Sequence, residues 1–234
     1  MVPPPRLVLW DIDGTLVDSG GVGAEVFDLA IEQVLGVRPP ARIHMSGMTD
    51  PQIVRRYLAM LEVAEEEAEA HVAPVLGHLA TALAGAVDEM QRHGRALPGA
   101  EALLRELAGD DDVLQTVLTG NLAPNAALKL GAFGLQHWID LEVGAFGSDD
   151  GDRNRLVPIA LERAATIRGR RFAPSQVWVV GDSAADLDCA RAGGVRCLLV
   201  ATGRATYDEL GALEPDAVRH DLTDTAAVAA LLRS

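Results

Sequence analysis

Three short polar clusters in this 234-residue chain contain the side chains best suited to chemistry. The first is Asp11-Ile12-Asp13-Gly14-Thr15, which directly follows the apolar run 7–10. Two carboxylates that face one crevice repel each other unless a cation lies between them, and a divalent metal with oxygen ligands meets that need. An Asp-Gly pair after a strand is also a common turn, so this cluster alone leaves both interpretations open.

The second cluster, Thr119-Gly120-Asn121, ends the apolar run 113–118. A hydroxyl group and free backbone N–H groups, followed by a helix that begins near Pro124, would make a cradle for phosphate. The alternative is a simple Thr-Gly loop with a capping asparagine.

The third cluster follows the apolar run 177–180 and contains Asp182 and Asp186. Carboxylates four residues apart on a helix face the same side. One of them is explained as a helix cap, but an unpaired acidic pair repels itself. A bound metal ion would resolve that repulsion.

These clusters all follow segments that read as strands buried on both faces. The predicted strands are 7–10, 113–118, 177–180 and 196–200, and each is followed by a turn and a helical pattern. Such alternation predicts an α/β fold with a doubly wound parallel sheet. Ligands of such sheets bind beyond the carboxyl ends of the strands, where all three clusters lie.

One stretch breaks the alternation and predicts an all-helical insert, a cap domain at residues 20–93 within an α/β core of residues 1–19 and 94–234. Val26, Leu29, Ala30, Val34 and Val37 are spaced for one helix face. Asp50-Pro51 is a predicted N-cap and first turn, and a third helical region, 62–90, is expected to be interrupted near Pro74. Glycine- and proline-rich connections on both sides of the insert could serve as hinges.

Together, the DxDGT sequence at 11–15, the Thr119 motif and the GDSxxD sequence at 181–186 resemble the haloacid dehalogenase-like (HAD) superfamily. The resemblance covers the whole chain except the helical insert. The pattern is similar to phosphoglycolate phosphatase-type members, which carry a helical cap after the first motif. It implies a Mg²⁺-dependent phosphatase that acts on a small phosphorylated metabolite through an aspartyl-phosphate.

The resemblance also implies roles for individual residues. Asp11 would attack phosphorus, and Asp13 would protonate the leaving alkoxide and then activate water. The metal ligands would be Asp11, the backbone carbonyl of Asp13, and Asp182, with Asp186 holding a ligand water or orienting Asp182. Thr119 and the amides of Gly120 and Asn121 would bind phosphate oxygens.

The chain departs from the family pattern at the lysine expected before the helix that follows the third strand. The segment contains arginines instead: counting back from Pro158 places Arg155 at the lysine position, with Arg153 two residues further upstream. Either guanidinium could bridge Asp11 and a phosphate oxygen, or both could simply balance nearby aspartates in solvent. Lys129, the sole lysine, falls in the middle of a predicted helix and is a weaker candidate.

Two arginines of the insert, Arg55 and Arg56, follow the segment 46–50. They could meet a carboxylate on the substrate, or they could be solvated. The alternative functions are a sugar phosphomutase of the same superfamily, which differs in its product, and a non-catalytic phosphate-binding module.

The overall charge limits the partners. Acidic residues outnumber basic ones by 34 to 20, which gives a net charge of −14. Such a surface disfavours nucleic acids and anionic membranes, so we expect neither as a partner; the oligomeric state is left open. No apolar run approaches membrane-spanning length, and the only two cysteines form no CxxC pair, from which we expect a cytoplasmic protein.

Overall fold

A parallel sheet flanked by helices forms the centre of the computed structural model, which describes residues 5–234. Its strands run in the order β5-β4-β1-β6-β7-β8, and every adjacent pair is parallel. A separate antiparallel pair is formed by β2 and β3. The strands are β1 Arg6–Trp10, β2 Val17–Asp18, β3 Arg95–Ala96, β4 Val113–Thr119, β5 Ala145–Phe146, β6 Val177–Gly181, β7 Arg196–Val200 and β8 Ala217–Arg219.

Ten helices accompany these strands in the described part of the chain. They are α1 Val22–Leu35, α2 Asp50–Met60, α3 Glu65–Gly85, α4 Val87–His93, α5 Ala100–Ala108, α6 Ala123–Ala132, α7 Leu156–Arg168, α8 Ala184–Gly193, α9 Tyr207–Gly211 and α10 Thr225–Arg233. The four predicted strands and the doubly wound arrangement are confirmed, with boundaries extended by at most one residue.

Alternating side chains of the strands pack into two cores, one on each face of the sheet. Val8 and Trp10 of β1 pack with helices α5, α6 and α10, whereas Leu7 and Leu9 pack with α7, α8 and α9. All four side chains are fully buried. This two-sided burial explains why the strands read as continuous apolar runs.

The topology makes the end of β1 the natural ligand site. The chain passes from β1 to β4 and β5 on one side, then returns to β6, β7 and β8 on the other. The strand order therefore reverses at β1, and a crevice opens beyond its carboxyl end, where Asp11 lies.

The inserted helices α1–α4 form a cap with a third hydrophobic core of their own. Strands β2 and β3, on either side of the insert, pair through Val17 with Ala96 and Asp18 with Arg95. The two connections to the cap therefore lie side by side.

Two details of the cap differ from the sequence-based expectation. Helix α3 continues through Pro74, and the break comes at Ala86. Pro74 and Ala70, whose carbonyl the proline leaves without a helical partner, are both exposed, so water can satisfy that carbonyl. The N-cap of α2 is Thr49 rather than Asp50, and it forms a capping box with Gln52.

No single helix among residues 5–234 is long and apolar enough to cross a membrane. Only α3 and α4 taken together, across a bend of 61°, have sufficient length and apolar composition.

Stability should depend strongly on the core around β1. Leu9→Ala is expected to lower the free energy of unfolding by ~2–5 kcal/mol, because it leaves a cavity at a fully buried position. The matched control is Leu29→Ala, at a side chain that is 44% exposed on α1, with an expected change within ~0.5 kcal/mol. Urea denaturation measures both. Equal effects would contradict this placement of the core.

Candidate active site

Asp11 lies at the carboxyl end of the central strand, between β4 and β6. Its backbone N–H donates to the carbonyl of Val180 over 2.9 Å, which extends the pairing of β1 and β6 by one residue. The residue is 6% exposed. A carboxylate at this point is rigidly held and faces the crevice where the strand order reverses.

Three buried carboxylates converge here, from Asp11, Asp182 and Asp186. One oxygen from each lies within 4.8 Å of the others. Two glycines make room for them: a Cβ on Gly203 would lie 1.7 Å from Oδ2 of Asp182, and one on Gly181 would lie 2.0 Å from Cγ of Asp186. Backbone therefore packs directly against the acidic group on two sides.

Burial and crowding shift the pKa values of two of these carboxylates, those of Asp182 and Asp11. Burial, together with the charges of Asp11 and Asp186, raises the pKa of Asp182. Burial also raises the pKa of Asp11, although the neighbouring Arg153 opposes the shift. The protein pays an electrostatic cost to hold these carboxylates together, as expected where a cation is meant to bind.

Arg153 is the positive side chain inside the cluster. One guanidinium nitrogen, Nη2, donates to Oδ1 of Asp11 over 2.9 Å and also to Oδ1 of Asp186. The side chain is only 7% exposed. Although burial opposes the charged form, the Asp186 and Asp11 carboxylates hold the pKa of Arg153 above its usual range. The Cys189 thiol donates to the Arg153 carbonyl over 3.0 Å and fixes the backbone.

The donor set suits a hard divalent cation. Asp186 is already engaged, since its second oxygen accepts bonds from the backbone N–H and the hydroxyl of Ser183, at the start of α8. No donor among residues 5–234 contacts the carboxylate of Asp182. Carboxylate oxygens are the ligands that Mg²⁺ and Ca²⁺ prefer. Asp11 and Asp182 can therefore act as metal ligands, while Asp186 orients its neighbours.

The carboxylate of Asp13 lies in a different network. Nζ of Lys129 lies 2.8 and 2.6 Å from its two oxygens and 2.7 Å from Oδ1 of Asn121. Nδ2 of Asn121 donates to Asp13 over 2.8 Å and to the Thr119 hydroxyl over 2.8 Å. The Asp13 side chain is 41% exposed, whereas that of Lys129 is 8% exposed. Asp13 is thus oriented at the edge of the pocket.

Lys129 is the residue that sequence reasoning undervalued. It does lie within a helix, α6, but that helix starts at the loop after β4, and Nζ of Lys129 reaches Asp13, which follows β1. The signal that could have found it is its uniqueness as the sole lysine in a chain with a net charge of −14.

The structure brings together Asp11, Thr119, Gly120, Asn121, Asp182 and Arg153 around one cavity, with Asp13 and Lys129 at the same wall. Asp186 lies directly behind them. The expectation that Arg155 could bridge Asp11 and a phosphate oxygen is wrong. Its side chain is 72% exposed and lies 3.7 Å from Asp150 and 3.8 Å from Asp152. The turn 153–155 directs only the first of its two arginines inward.

The cap closes the cavity through the N-terminus of α2. The Asp50 N–H donates to the Gly120 carbonyl over 2.8 Å, and its carboxylate accepts from the Leu122 N–H over 2.8 Å. The Thr49 hydroxyl donates to the carbonyl of Gly151 over 2.9 Å. Burial raises the pKa of Asp50 to about 6, against the charge of Lys129. Cap and core are therefore in direct contact beside the loop 119–122.

The two cap arginines lie outside this cavity. Arg55 donates to Glu69 over 3.0 and 2.8 Å and is 46% exposed, and Arg56 is also exposed. Of the two interpretations of these residues, the structure supports solvated arginines.

The family assignment agrees with this geometry. A family described as haloacid dehalogenase-like hydrolase matches residues 8–191, which span all three polar clusters and the cap. The chain belongs to the haloacid dehalogenase-like hydrolase family.

Individual relatives of this hydrolase cover nearly all of it. Tyrosine-protein kinase PtkA of Mycobacterium tuberculosis is 28% identical over 223 residues, which cover 94% of this chain and 70% of PtkA. A phosphoglycolate phosphatase of Pseudomonas putida is 31% identical over 230 residues, covering 93% of this chain and 77% of that protein. The crystal structure of a hydrolase from Pseudomonas syringae has the same fold, with a TM-score of 0.70 at 20% identity and coverage of 98% and 99% of the two chains.

The contact between cap and core should protect one backbone amide, that of Leu122, from hydrogen exchange. Asp50→Ala is expected to speed hydrogen exchange of the Leu122 N–H by about 10–100-fold, because the amide loses a charged acceptor worth ~1.5–3 kcal/mol. Hydrogen exchange followed by NMR measures this. Asp88→Ala, at an exposed position on α4, is the matched control and should leave that amide unchanged. Unchanged Leu122 protection in Asp50→Ala would contradict the contact.

Proposed function

We propose that this hydrolase is a Mg²⁺-dependent phosphatase that transfers the phosphoryl group of a small phosphomonoester first to Asp11 and then to water. The observation that carries the proposal is the position of Asp11, which is buried against Arg153 and the two other carboxylates at the floor of the cavity. The similarity to the P. putida phosphoglycolate phosphatase supports the reaction class.

Charge neutralisation is the main physical requirement. An anionic carboxylate must approach an anionic phosphate ester, which fixed positive groups make possible. Asp11, Asp182 and the carbonyl of Asp13 would hold Mg²⁺, which when bound supplies positive charge beside the transferring group. Arg153, which donates to Asp11 and Asp186, would supply a second positive charge. Its Nε has no hydrogen-bond partner among residues 5–234 and leaves one donor unassigned.

Proton transfer is assigned to Asp13. In the first step an Asp11 oxygen forms a bond to phosphorus, the ester P–O bond breaks, and Asp13 gives a proton to the departing alkoxide. In the second step Asp13 takes a proton from the water that attacks the aspartyl-phosphate, which releases phosphate and restores Asp11. Lys129 and Asn121 orient the Asp13 carboxylate for both steps.

The phosphate oxygens are assigned to the loop after β4. Thr119, Gly120 and Asn121 line the cavity, and α6 begins directly after them at Ala123. At the start of α6 the Leu122 N–H already donates to Asp50 and the Ala123 N–H to Ser148, so the groups assigned to phosphate are the Thr119 hydroxyl and the amides of Gly120 and Asn121. The side chain of Asn121 also contacts Asp13, so the loop would couple phosphate binding to the position of the acid.

A sugar phosphomutase would use the same first step but return the phosphoryl group to a hydroxyl of the substrate. The product distinguishes the two reactions: the phosphatase releases inorganic phosphate, whereas the mutase yields an isomeric sugar phosphate. A chain that only binds phosphate would yield neither product.

The nucleophile assignment predicts that Asp11→Asn lowers Mg²⁺-dependent hydrolysis of p-nitrophenyl phosphate by ~10³-fold or more, because the amide cannot attack phosphorus. Asp188→Asn, at an exposed position on α8, is the control and should retain full activity. Phosphate release measures both, with EDTA abolishing the wild-type rate. Activity that survives in Asp11→Asn would exclude the aspartyl-phosphate route.

Metal binding can be tested without turnover. Mg²⁺ should raise the melting temperature of the wild type and of Asp188→Asn but not that of Asp182→Asn, since only the last variant loses a ligand. Without metal, Asp182→Asn should be at least as stable as the wild type, because it removes a carboxyl group whose ionisation burial and the neighbouring carboxylates oppose. The metal-free melting temperature of Asp182→Asn therefore shows whether a missing response to Mg²⁺ reflects a lost ligand or a misfolded protein.

Substitution of the two arginines of the turn 153–155 should have very different effects on kcat/KM. Arg153→Met is expected to lower kcat/KM by ~10²–10³-fold, because a fixed positive charge next to Asp11 is lost. Arg155→Met should change kcat/KM less than twofold, since that side chain is in solvent. Steady-state kinetics with p-nitrophenyl phosphate measures both variants. Similar losses in the two would overturn the assignment of Arg153.

A further inference from the structure

The cavity above Asp11 has two chemically different ends. It occupies about 360 Å³ and is lined at its floor by the acidic cluster and the phosphate loop. The opposite wall belongs to the cap and carries large apolar side chains, namely Phe27, Ile43, Met45, Met48 and Ile53. A phosphomonoester placed with its phosphorus at Asp11 would direct its leaving group toward this wall.

The cap offers no positive partner to that leaving group. Among the described cap residues that line the cavity, the only ionisable side chain is Asp50, which is an acid. Asp18, at the connection to the cap, adds a second acid. Arg55 is paired with Glu69 outside the cavity. A carboxylate on the leaving group would therefore find no cation on the cap, where Ser46 supplies only a neutral hydroxyl group, so its desolvation would lack a charged partner on that wall.

The cations that do line the cavity belong to the core. Arg153 is bound to Asp11 and Asp186, and Lys129 is bound to Asp13 and Asn121, so both serve the phosphate end. Arg204 is the third, and it has no ion-pair partner among residues 5–234. It is exposed and follows Gly203, which packs on Asp182, so it lies at the rim on the core side. From there it can attract any phosphate dianion.

We infer that this site takes phosphomonoesters whose leaving group is an uncharged, apolar alkyl or aryl alcohol, in preference to carboxylate-bearing esters such as phosphoglycolate. The inference rests on the proposed phosphatase function and names its substrate class. Apolar leaving groups gain from burial against the cap wall, about 4-fold in kcat/KM per methylene. The polar end of the pocket binds only the phosphate that all such esters share.

The test is a series of substrates whose leaving groups are alcohols of similar basicity. Wild-type kcat/KM is measured with Mg²⁺ for ethyl, butyl, hexyl and benzyl phosphate and for phosphoglycolate. We expect a rise of about 4-fold per methylene until the cavity is filled, with phosphoglycolate below ethyl phosphate. A flat series, or phosphoglycolate above all alkyl esters, would overturn the inference while leaving the phosphatase intact. If no ester is hydrolysed, the proposed function fails and the inference fails with it.

Two matched lysine substitutions locate the preference in the cap wall. Met45→Lys places a cation in the cavity and should lower the ratio of hexyl phosphate to phosphoglycolate turnover by at least ~10-fold. Val37→Lys adds the same charge to the same cap loop at a position that is 48% exposed and outside the cavity, and should leave the ratio unchanged. Equal effects of the two would contradict a role for the wall.

Arg204→Ala separates attraction of the phosphate from recognition of the leaving group. We expect kcat/KM to fall by a similar factor for every ester, because Arg204 acts on the common dianion. A fall confined to phosphoglycolate would make Arg204 a carboxylate site and overturn the inference.

Discussion

The repulsion among three buried carboxylates, and its compensation by positive charge, is the constraint that the rest of this structure serves. Asp11, Asp182 and Asp186 are held with one oxygen of each within 4.8 Å of the others, although burial raises the pKa values of Asp11 and Asp182. Arg153 offsets part of that repulsion by bonding to two of the three. The sheet supplies the rigidity, because Asp11 and Asp182 directly follow neighbouring parallel strands that bury both faces. A site of this kind is stable only because packing energy elsewhere exceeds its electrostatic cost.

Helix α6 and the loop before it connect this cluster to the cap. Lys129 lies on α6 and contacts Asp13 of the core. Leu122 lies in the loop just before α6 and contacts Asp50 of the cap. The charge of Lys129 also acts on Asp50, whose pKa it lowers against the effect of burial. The same short segment carries Asn121, which contacts Asp13 and Thr119. The side chain of Asp13, the loop 119–121 and the contact of the cap with the core therefore share one structural support, which links the position of the cap to the geometry of the proposed site.

The floor and the opposite wall of the cavity differ in chemistry because they come from different parts of the chain. Core strands place ionisable groups at the floor, where under the proposed function they would act on the phosphate shared by all phosphomonoesters. The cap, inserted between β2 and β3, contributes side chains continuous with its own hydrophobic core, such as Phe27 and Ile53. These residues stabilise the cap and at the same time form the surface that a leaving group would touch. Because one set of side chains performs both tasks, leaving-group preference and cap stability are physically linked.

The sequence alone determined the sheet, the insert and the acidic ends of the strands, because each of these depends on local order: buried parallel strands read as apolar runs, and Asp11, Thr119 and Asp182 directly follow them. It also placed arginines in the segment where the family pattern has a lysine. Only the tertiary structure decided which arginine enters the site, since Arg153 and Arg155 differ only in the direction that one short helical turn gives them. The same is true of Lys129, separated from Asp13 by 116 positions in the chain, and of Asp50, which Thr49 frees from capping so that it can contact Leu122. Such contacts depend on how helices far apart in the sequence pack together, which the local spacing of residues does not predict.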